Sequence, residues 1–333
     1  MRPIEVELAV PVARGLLGAT AVGDGPTAEQ LALIRSLLHG YFGVEIEPLD
    51  LEPLSPDEVR RALTDDASRH RFVRLAIVLE FCRHPSVEAQ ADLVERYAAA
   101  LGVDEEMQTV ARDAVQDDRE HLAADWARFR EATEVEVELV DAPLDEQLAA
   151  RLRGLSECPA GSLGRGYFDF YDGAGLAFPG EPGGGDLSLV SHDFSHVLAG
   201  YGPTPVDEVA LQAMLTSATD GEHHFTGFIA ALGLFESGML EFPDIVPKSE
   251  VLDRPGAAAE IADAIRRGAA CDGDFQAVDH LGRADEPLES VRADLGIPPR
   301  DLSAPRASLD GIPSKPIDVF PLRTPDGWTR LTP

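Results

Sequence analysis

A stretch of eighteen residues occurs twice in this chain, 59 positions apart, and each copy reads as a helix. The first is TAEQLALIRSLLHGYFGV at 27–44 and the second SVEAQADLVERYAAALGV at 86–103. Thr27 and Ser86 are polar caps, Glu29 and Glu88 sit in the first turn, and Gly43 and Gly102 stand where a helix stops. Leu31, Ile34, Leu37 and Leu38 keep helical spacing. Each copy is followed by another capped helical pattern, SPDEVRRAL at 55–63 and DEEMQTVARDAV at 104–115. Between them RHRFVRLAIVLEFC, 69–82, is apolar enough for a central buried helix. A repeated helix pair of this kind predicts a compact all-helical domain over residues 1–130.

Residues 131–145, EATEVEVELVDAPLD, alternate acidic and apolar side chains and end at a proline; they read as a linker and mark the domain boundary. A second block, 146–299, shows helical patterns at 144–153, 206–219, 223–240, 256–267 and 286–295. Strands do not alternate with helices, and neither a glycine-rich phosphate loop nor a GxSxG elbow is present. FPGEPGGGD at 178–186 reads as a surface loop. The tail, 300–333, is proline-rich and predicts an extended arm. The fold class is all-α: a helical N-terminal domain with an internal helix-pair repeat, then a second all-helical domain.

The charge balance narrows the partners. There are 59 acidic residues against 28 basic ones, a formal charge of -31. Nucleic acid is excluded, because phosphate contacts need basic patches, and attraction to anionic head groups by charge alone is excluded with it. The three cysteines, Cys82, Cys158 and Cys271, form no CxxC pair, so neither a thiolate metal site nor a disulfide framework is expected. The start MRPIEVELAV lacks the basic and apolar runs of a signal peptide. The longest apolar stretch, FTGFIAALGLF at 225–235, is too short to span a bilayer. A cytoplasmic protein is expected, at most peripheral at the inner face of the membrane.

The chemistry concentrates in SHDFSHVLAGYGPTPVDEVALQ, residues 191–212. On a helix over 187–199, His192 and His196 lie one turn apart on one face, with Asp193 in the same arc. The chain then turns through GYGPTP. Thr204 is a good cap, Pro205 fits the first helical position, and Asp207 suits a capping box. Glu208 falls one turn into the next helix, at the height of His196. Two imidazoles and two carboxylates converge, a donor set that suits Zn²⁺, and also Fe²⁺ or Mn²⁺. If all four bind, the site is closed; if one carboxylate stands behind the others, a position stays open. The competing reading is a hydrogen-bonded histidine pair in the core, without metal.

This segment resembles the HDxxH-(eleven residues)-E signature of the ubiquinone (coenzyme Q) biosynthesis protein family. The likeness extends to PAGSLGRGYFDFYDGAG at 159–175 and FQAVDHLGRADEPLESVRADLGIPP at 275–299, covering about 145–299. The resemblance implies an all-helical fold, zinc ligands at His192, Asp193, His196 and Glu208, a prenylated lipid or quinone precursor as ligand, other quinone-biosynthesis proteins as partners, and work at the membrane face. It leaves two functions open: a scaffold that presents lipid to the pathway, or a metal-dependent enzyme that decarboxylates and hydroxylates C1 of a prenylated aromatic acid. A metal-dependent hydrolase is a third reading, for which the sequence supplies no convincing set of further ligands. The family carries an arginine shortly before its His-Asp pair; here the run is SLVSHD. Arg165, in a loop with Tyr167, is the expected substitute for holding a polar head group. His223 and His224 are expected behind the metal ligands or at a wet helix start. Residues 1–130 are similar, more weakly, to the tellurite-resistance type of helical domain, which would implicate Asp24 and Glu29 in metal binding; a plain turn at Asp24–Gly25 and a first-turn carboxylate at Glu29 are the favoured explanation.

Overall fold

The computed structural model describes residues 5–83, 85–105, 107–115, 144–238, 240 and 250–300, together with two short strands near the C-terminus. The linker expected over 131–145 lies almost wholly outside the described residues, as does most of the 300–333 tail. In that tail β1 (Leu322–Thr324) pairs antiparallel with β2 (Gly327–Thr329). The body is all-α.

Among the described residues, six α-helices form the first part: α1 (Ala9–Ala19), α2 (Ala28–Ser36), α3 (Pro56–Ala62), α4 (Asp66–Phe81), α5 (Glu88–Leu101) and α6 (Met107–Val115). The two repeat copies are α2 and α5. Thr27 caps α2 through a reciprocal box with Gln30. Both copies end at a left-handed glycine, Gly43 at φ 68° and Gly102 at φ 70°, a conformation that costs a side-chain-bearing residue about 1 kcal/mol or more. The copies part at their last turn, where Leu37–Tyr41 widens into a π turn while α5 runs straight on. Gln30 joins them, donating from Nε2 to Leu79 O at 2.9 Å and to Gln90 Oε1 at 3.0 Å. As its composition demands, α4 is central and its second half is buried almost all round.

Seven more helices follow: α7 (Glu146–Gly154), α8 (Leu163–Ala174), α9 (Ser188–Ala199), α10 (Pro205–Ala218), α11 (Glu222–Phe235), α12 (Ala257–Ala270) and α13 (Leu288–Asp294). Burial of α10 is nearly complete, and it packs on α11 and α12. In turn α12 packs on α2 and its π turn, where Ser36 Oγ donates to Ala258 O at 2.7 Å. One cluster of buried apolar side chains therefore runs from Ala9 to Ile297.

Two local expectations need correction. Arg165 and Tyr167 are in α8, not a loop: Ser162 caps its start by accepting from Arg165 N at 3.2 Å, and Gly175 ends it in the left-handed conformation. Glycines 164, 166 and 173 hide the apolar spacing of Leu163, Tyr167 and Tyr171. The 178–186 loop is also only partly at the surface, since Phe178, Gly180, Gly184 and Gly185 are buried.

Glu80, near the end of α4, is 4 % exposed, and its Oε1 meets no hydrogen-bond partner among the described residues. Burial pushes its carboxyl up to about 8, against a weaker pull from Arg112 and a push from Glu95. Below the unfolded value, near 4.5, the group is protonated in both states and gives no slope. Between there and about 8, unfolding releases a proton, so stability falls as pH rises. Glu80→Gln removes this contribution and should raise the unfolding free energy at pH 8 by about 3 kcal/mol, with little change at pH 4.5. Urea titrations of both proteins across that range check it; parallel pH profiles would contradict a protonated Glu80.

Candidate metal centre

The site is built at the corner between α9 and α10. Asp186 Oδ1 accepts from Ser188 N at 2.8 Å and starts α9. Gly200, at φ 75° and ψ 28°, ends it. His196 O then accepts from Gly200 N at 2.8 Å and from Tyr201 N at 3.1 Å. Thr204 caps α10 by accepting from Asp207 N at 3.3 Å, and Pro205 takes the first helical position. The expected corner forms: His196 stands one turn before the bend and Glu208 one turn after it.

The last carbonyls of α9 have no helical partners, and three arginines take them. Arg292 donates to Val197 O and Leu198 O, both at 2.8 Å, and Arg267 to Ala199 O at 2.8 Å. Arg300 donates to Gly200 O at 2.6 Å. Guanidinium groups match the negative end of the helix dipole. Nothing in their spacing announced this, because each pairing spans 68 to 100 residues.

Two imidazole nitrogens and both oxygens of one carboxylate meet in the corner. His192 Nε2 and His196 Nε2 are 3.1 Å apart. Glu208 Oε1 is 3.1 Å from His196 Nε2, and its Oε2 is 3.4 Å from His192 Nε2. Ligands held about 2.0–2.1 Å from a tetrahedral zinc stand about 3.3 Å from one another, and each of these contacts is of that length, with one oxygen of Glu208 turned to each imidazole. Asp193 is the fourth expected ligand. One of its oxygens lies within 4.8 Å of the two imidazole nitrogens, but the carboxylate also accepts a short hydrogen bond from the Tyr171 hydroxyl. One feature departs from ordinary metal-bound histidine: buried His196 Nδ1 has no hydrogen-bond partner among the described residues, where such a nitrogen usually donates to an acceptor.

Aromatic rings line one side. Phe170 stacks on His196 at 5.3 Å between centroids. Tyr171 stacks on Phe178 at 4.7 Å, and Tyr167 on Phe194 at 4.2 Å. Burial opposes charge throughout the site. It lowers His196, but the Glu208 carboxylate outweighs it and lifts the imidazole to about 9. Burial would raise Glu208, and the two histidines hold it well below the usual carboxylate range instead. For Asp193 burial wins, and its carboxyl is raised despite both histidines and Tyr171.

The other expected site residues fall elsewhere. Arg165 pairs with Asp169 at 2.8 Å and donates to Ser156 O at 3.3 Å, so its guanidinium is engaged on its own helix and the preceding turn. Tyr167 is fully buried in the aromatic layer behind Asp193. His223 and His224 meet Asp274. Glu29 is buried in the first turn of α2. Tyr171 and Asp274 were not anticipated; Tyr171 sits eight positions after Leu163 on a helix that its glycines disguise.

Comparison with known proteins is sparse. No family model matches the sequence, and no curated protein does. A solved structure from Nostoc punctiforme PCC 73102, of a protein provisionally named for ubiquinone biosynthesis, is similar over 70% of this chain and 99% of its own, at 17% identity and a TM-score of 0.30. A likeness that distant transfers neither fold nor activity. No helix among the described residues is long and apolar enough to cross a membrane.

His196 is 1 % exposed and Glu208 8 %, so each depends on the other for neutralisation. In metal-free protein, His196→Ala should cost about 3–5 kcal/mol by leaving buried Glu208 with only His192 to neutralise it, and Glu208→Ala less, because a buried imidazole without its carboxylate gives up its proton. The double variant should cost at least about 1.5 kcal/mol less than the sum. Urea unfolding of the four proteins measures the coupling; strict additivity would show that the pair does not interact.

Proposed function

We propose that this protein holds a divalent metal at His192, His196 and Glu208 and uses it on a prenylated aromatic acid in prenyl-quinone biosynthesis. One observation carries the reading: two imidazoles 3.1 Å apart each face an oxygen of Glu208, at 3.4 and 3.1 Å, while Asp193 is drawn to Tyr171. Three protein ligands with a position left over is the arrangement of catalytic metal sites; four would close it. The pathway assignment rests on the HDxxH-(eleven residues)-E pattern at 192–208 and its flanking segments, and three residues of that pattern, His192, His196 and Glu208, are the proposed ligands at the corner.

When bound, zinc, iron or manganese would act as a Lewis acid, taking a ring carboxylate and stabilising negative charge as carbon dioxide leaves. The chain's own groups supply the rest. The Glu208 carboxylate balances the charge of the ion. Tyr171 fixes Asp193 beside His192 by donating to its carboxylate, which sets that side chain to orient the reacting end of the substrate. Phe170 and the aromatic layer behind it exclude water and offer flat surfaces to an aromatic ring. Hydroxylation at the same carbon would need dioxygen and an electron donor as co-reactants. A presenter role remains the second reading, supported by the resemblance rather than by this geometry.

His192 is the ligand to remove first, because its side chain is 21 % exposed and not a core element. Protein purified without chelator should carry one metal equivalent more than His192→Ala by elemental analysis. Incubated with a carboxyl-labelled prenylated hydroxybenzoate, the wild type should release labelled carbon dioxide, and the variant at least about 100-fold less, since even outer partners of a ligand are worth 10–100-fold. Equal metal in both proteins would overturn the site. Metal and lipid bound without turnover would overturn the enzyme and leave the presenter.

A further inference from the structure

A second group of metal-binding side chains lies outside the α9–α10 corner. His223 and His224 occupy the first turn of α11, and Asp274 lies on the loop after α12. His224 Nε2 is 2.9 Å from Asp274 Oδ2, and His223 Nε2 is 3.5 Å from the same oxygen. The two rings lie 3.9 Å apart between centroids. One ligand atom from each residue lies within 4.8 Å of the other two. We propose that His223, His224 and Asp274 form a second, solvent-open site for a divalent transition-metal ion.

Ligands about 2.0–2.1 Å from one ion stand about 2.9 Å apart in octahedral and 3.3 Å in tetrahedral geometry. The two measured separations to Asp274 bracket those values. Two imidazoles and one carboxylate are also the donor set that zinc, iron(II) and their neighbours take with positions to spare. Calcium and magnesium, which want oxygen, are disfavoured by it.

The three side chains are held for this. Gln276 N donates to Asp274 Oδ1 at 2.9 Å, which leaves Oδ2 aimed at the histidines. Arg74 fixes the start of α11 by bonding both oxygens of Glu222 at 2.6 and 2.7 Å. His224 is 1 % exposed, whereas the His223 side chain is 44 % exposed. The histidines thus present one buried anchor and one wet face, and the remaining coordination positions open on the His223 side.

A hydrogen-bonded His224–Asp274 pair needs no metal. It does not explain why a half-exposed imidazole brings its Nε2 to an oxygen already taken, instead of turning to water. The helix dipole opposes a cation at the start of α11, but its partial charge of about one half is smaller than the full charge of Asp274. The loop that carries Asp274 also carries His280, which stacks on Phe194 at 5.0 Å beside Asp193. An ion here would pin α11 to that loop and so brace the back of the first site.

The test uses the full chain, stripped with chelator, reloaded with zinc and counted by elemental analysis. Wild type should hold about one equivalent more than His223→Ala, a substitution at an exposed position that leaves the core untouched. His70→Ala, a second exposed histidine beside a carboxylate, should hold as much as wild type. Cobalt(II) loaded into His192→Ala should give the weak visible absorption of a five- or six-coordinate ion, and this should vanish when His223→Ala is added. Equal zinc in wild type and His223→Ala overturns the second site. So does a loss in His70→Ala as large as in His223→Ala, which would mean diffuse surface uptake. Failure at the first corner is read separately, from His192→Ala alone.

Discussion

Three guanidinium groups at the end of one helix hold the rest of the site in place. The last four backbone carbonyls at the end of α9 point away from their own helix, and each finds an arginine. Hydrogen bonds to a charged donor are worth about 1.5–3 kcal/mol apiece when buried, and less where the guanidinium meets water, as at Gly200 O. The arrangement is also directional. Arg267 comes from α12, Arg292 from α13, and Arg300 from the chain just beyond, so the end of α9 is located from three sides. Arg300 also lies over the Tyr201 ring at 4.3 Å, just past the bend. With that end fixed and Gly200 reversing the chain, the start of α10 has one place to go, and Glu208 arrives opposite His192 and His196.

The same chain, strongly acidic overall, buries carboxyl groups and neutralises each differently. Glu208 has two imidazoles. Asp193 has a phenol. Glu236 takes a backbone N–H, from Leu252 at 2.7 Å. Glu80 has no donor among the described residues and keeps its proton instead. Among these, Glu208 is the carboxyl whose surroundings hold it well below the usual carboxylate range, which places a negative charge where a cation would be welcome.

Helix existence was legible in the sequence because it is written locally. Capping residues at Thr27 and Thr204, the apolar spacing of Leu31, Ile34, Leu37 and Leu38, and the apolar run at 69–82 locate elements within a few positions. The corner was legible for the same reason: five residues of helix, a Gly/Pro turn and a capped restart fix the relation of His196 to Glu208 before any tertiary contact is considered. The helix α8 was not, because its glycines serve close approach to Cys158, Ala284 and Val197 and look like loop residues when those neighbours are unknown. The arginine caps, Asp274 and the Tyr171–Asp193 bond were invisible too. Each is a single long-range contact without period or spacing. His223 and His224 stood out by type, but the partner that gives them meaning is fifty residues away.

The arginines at the end of α9 also impose an order on assembly. Val197 and Leu198 wait for a residue 95 and 94 positions later, Ala199 for one 68 later, and Gly200 for one 100 later. On the ribosome, where chains lengthen by about 5–20 residues per second, the imidazoles emerge several seconds before the groups that lock their helix. A nascent chain therefore displays an HDxxH face on a helix whose last carbonyls still lack their arginines, and the rigid corner is completed only once Arg300 has been made.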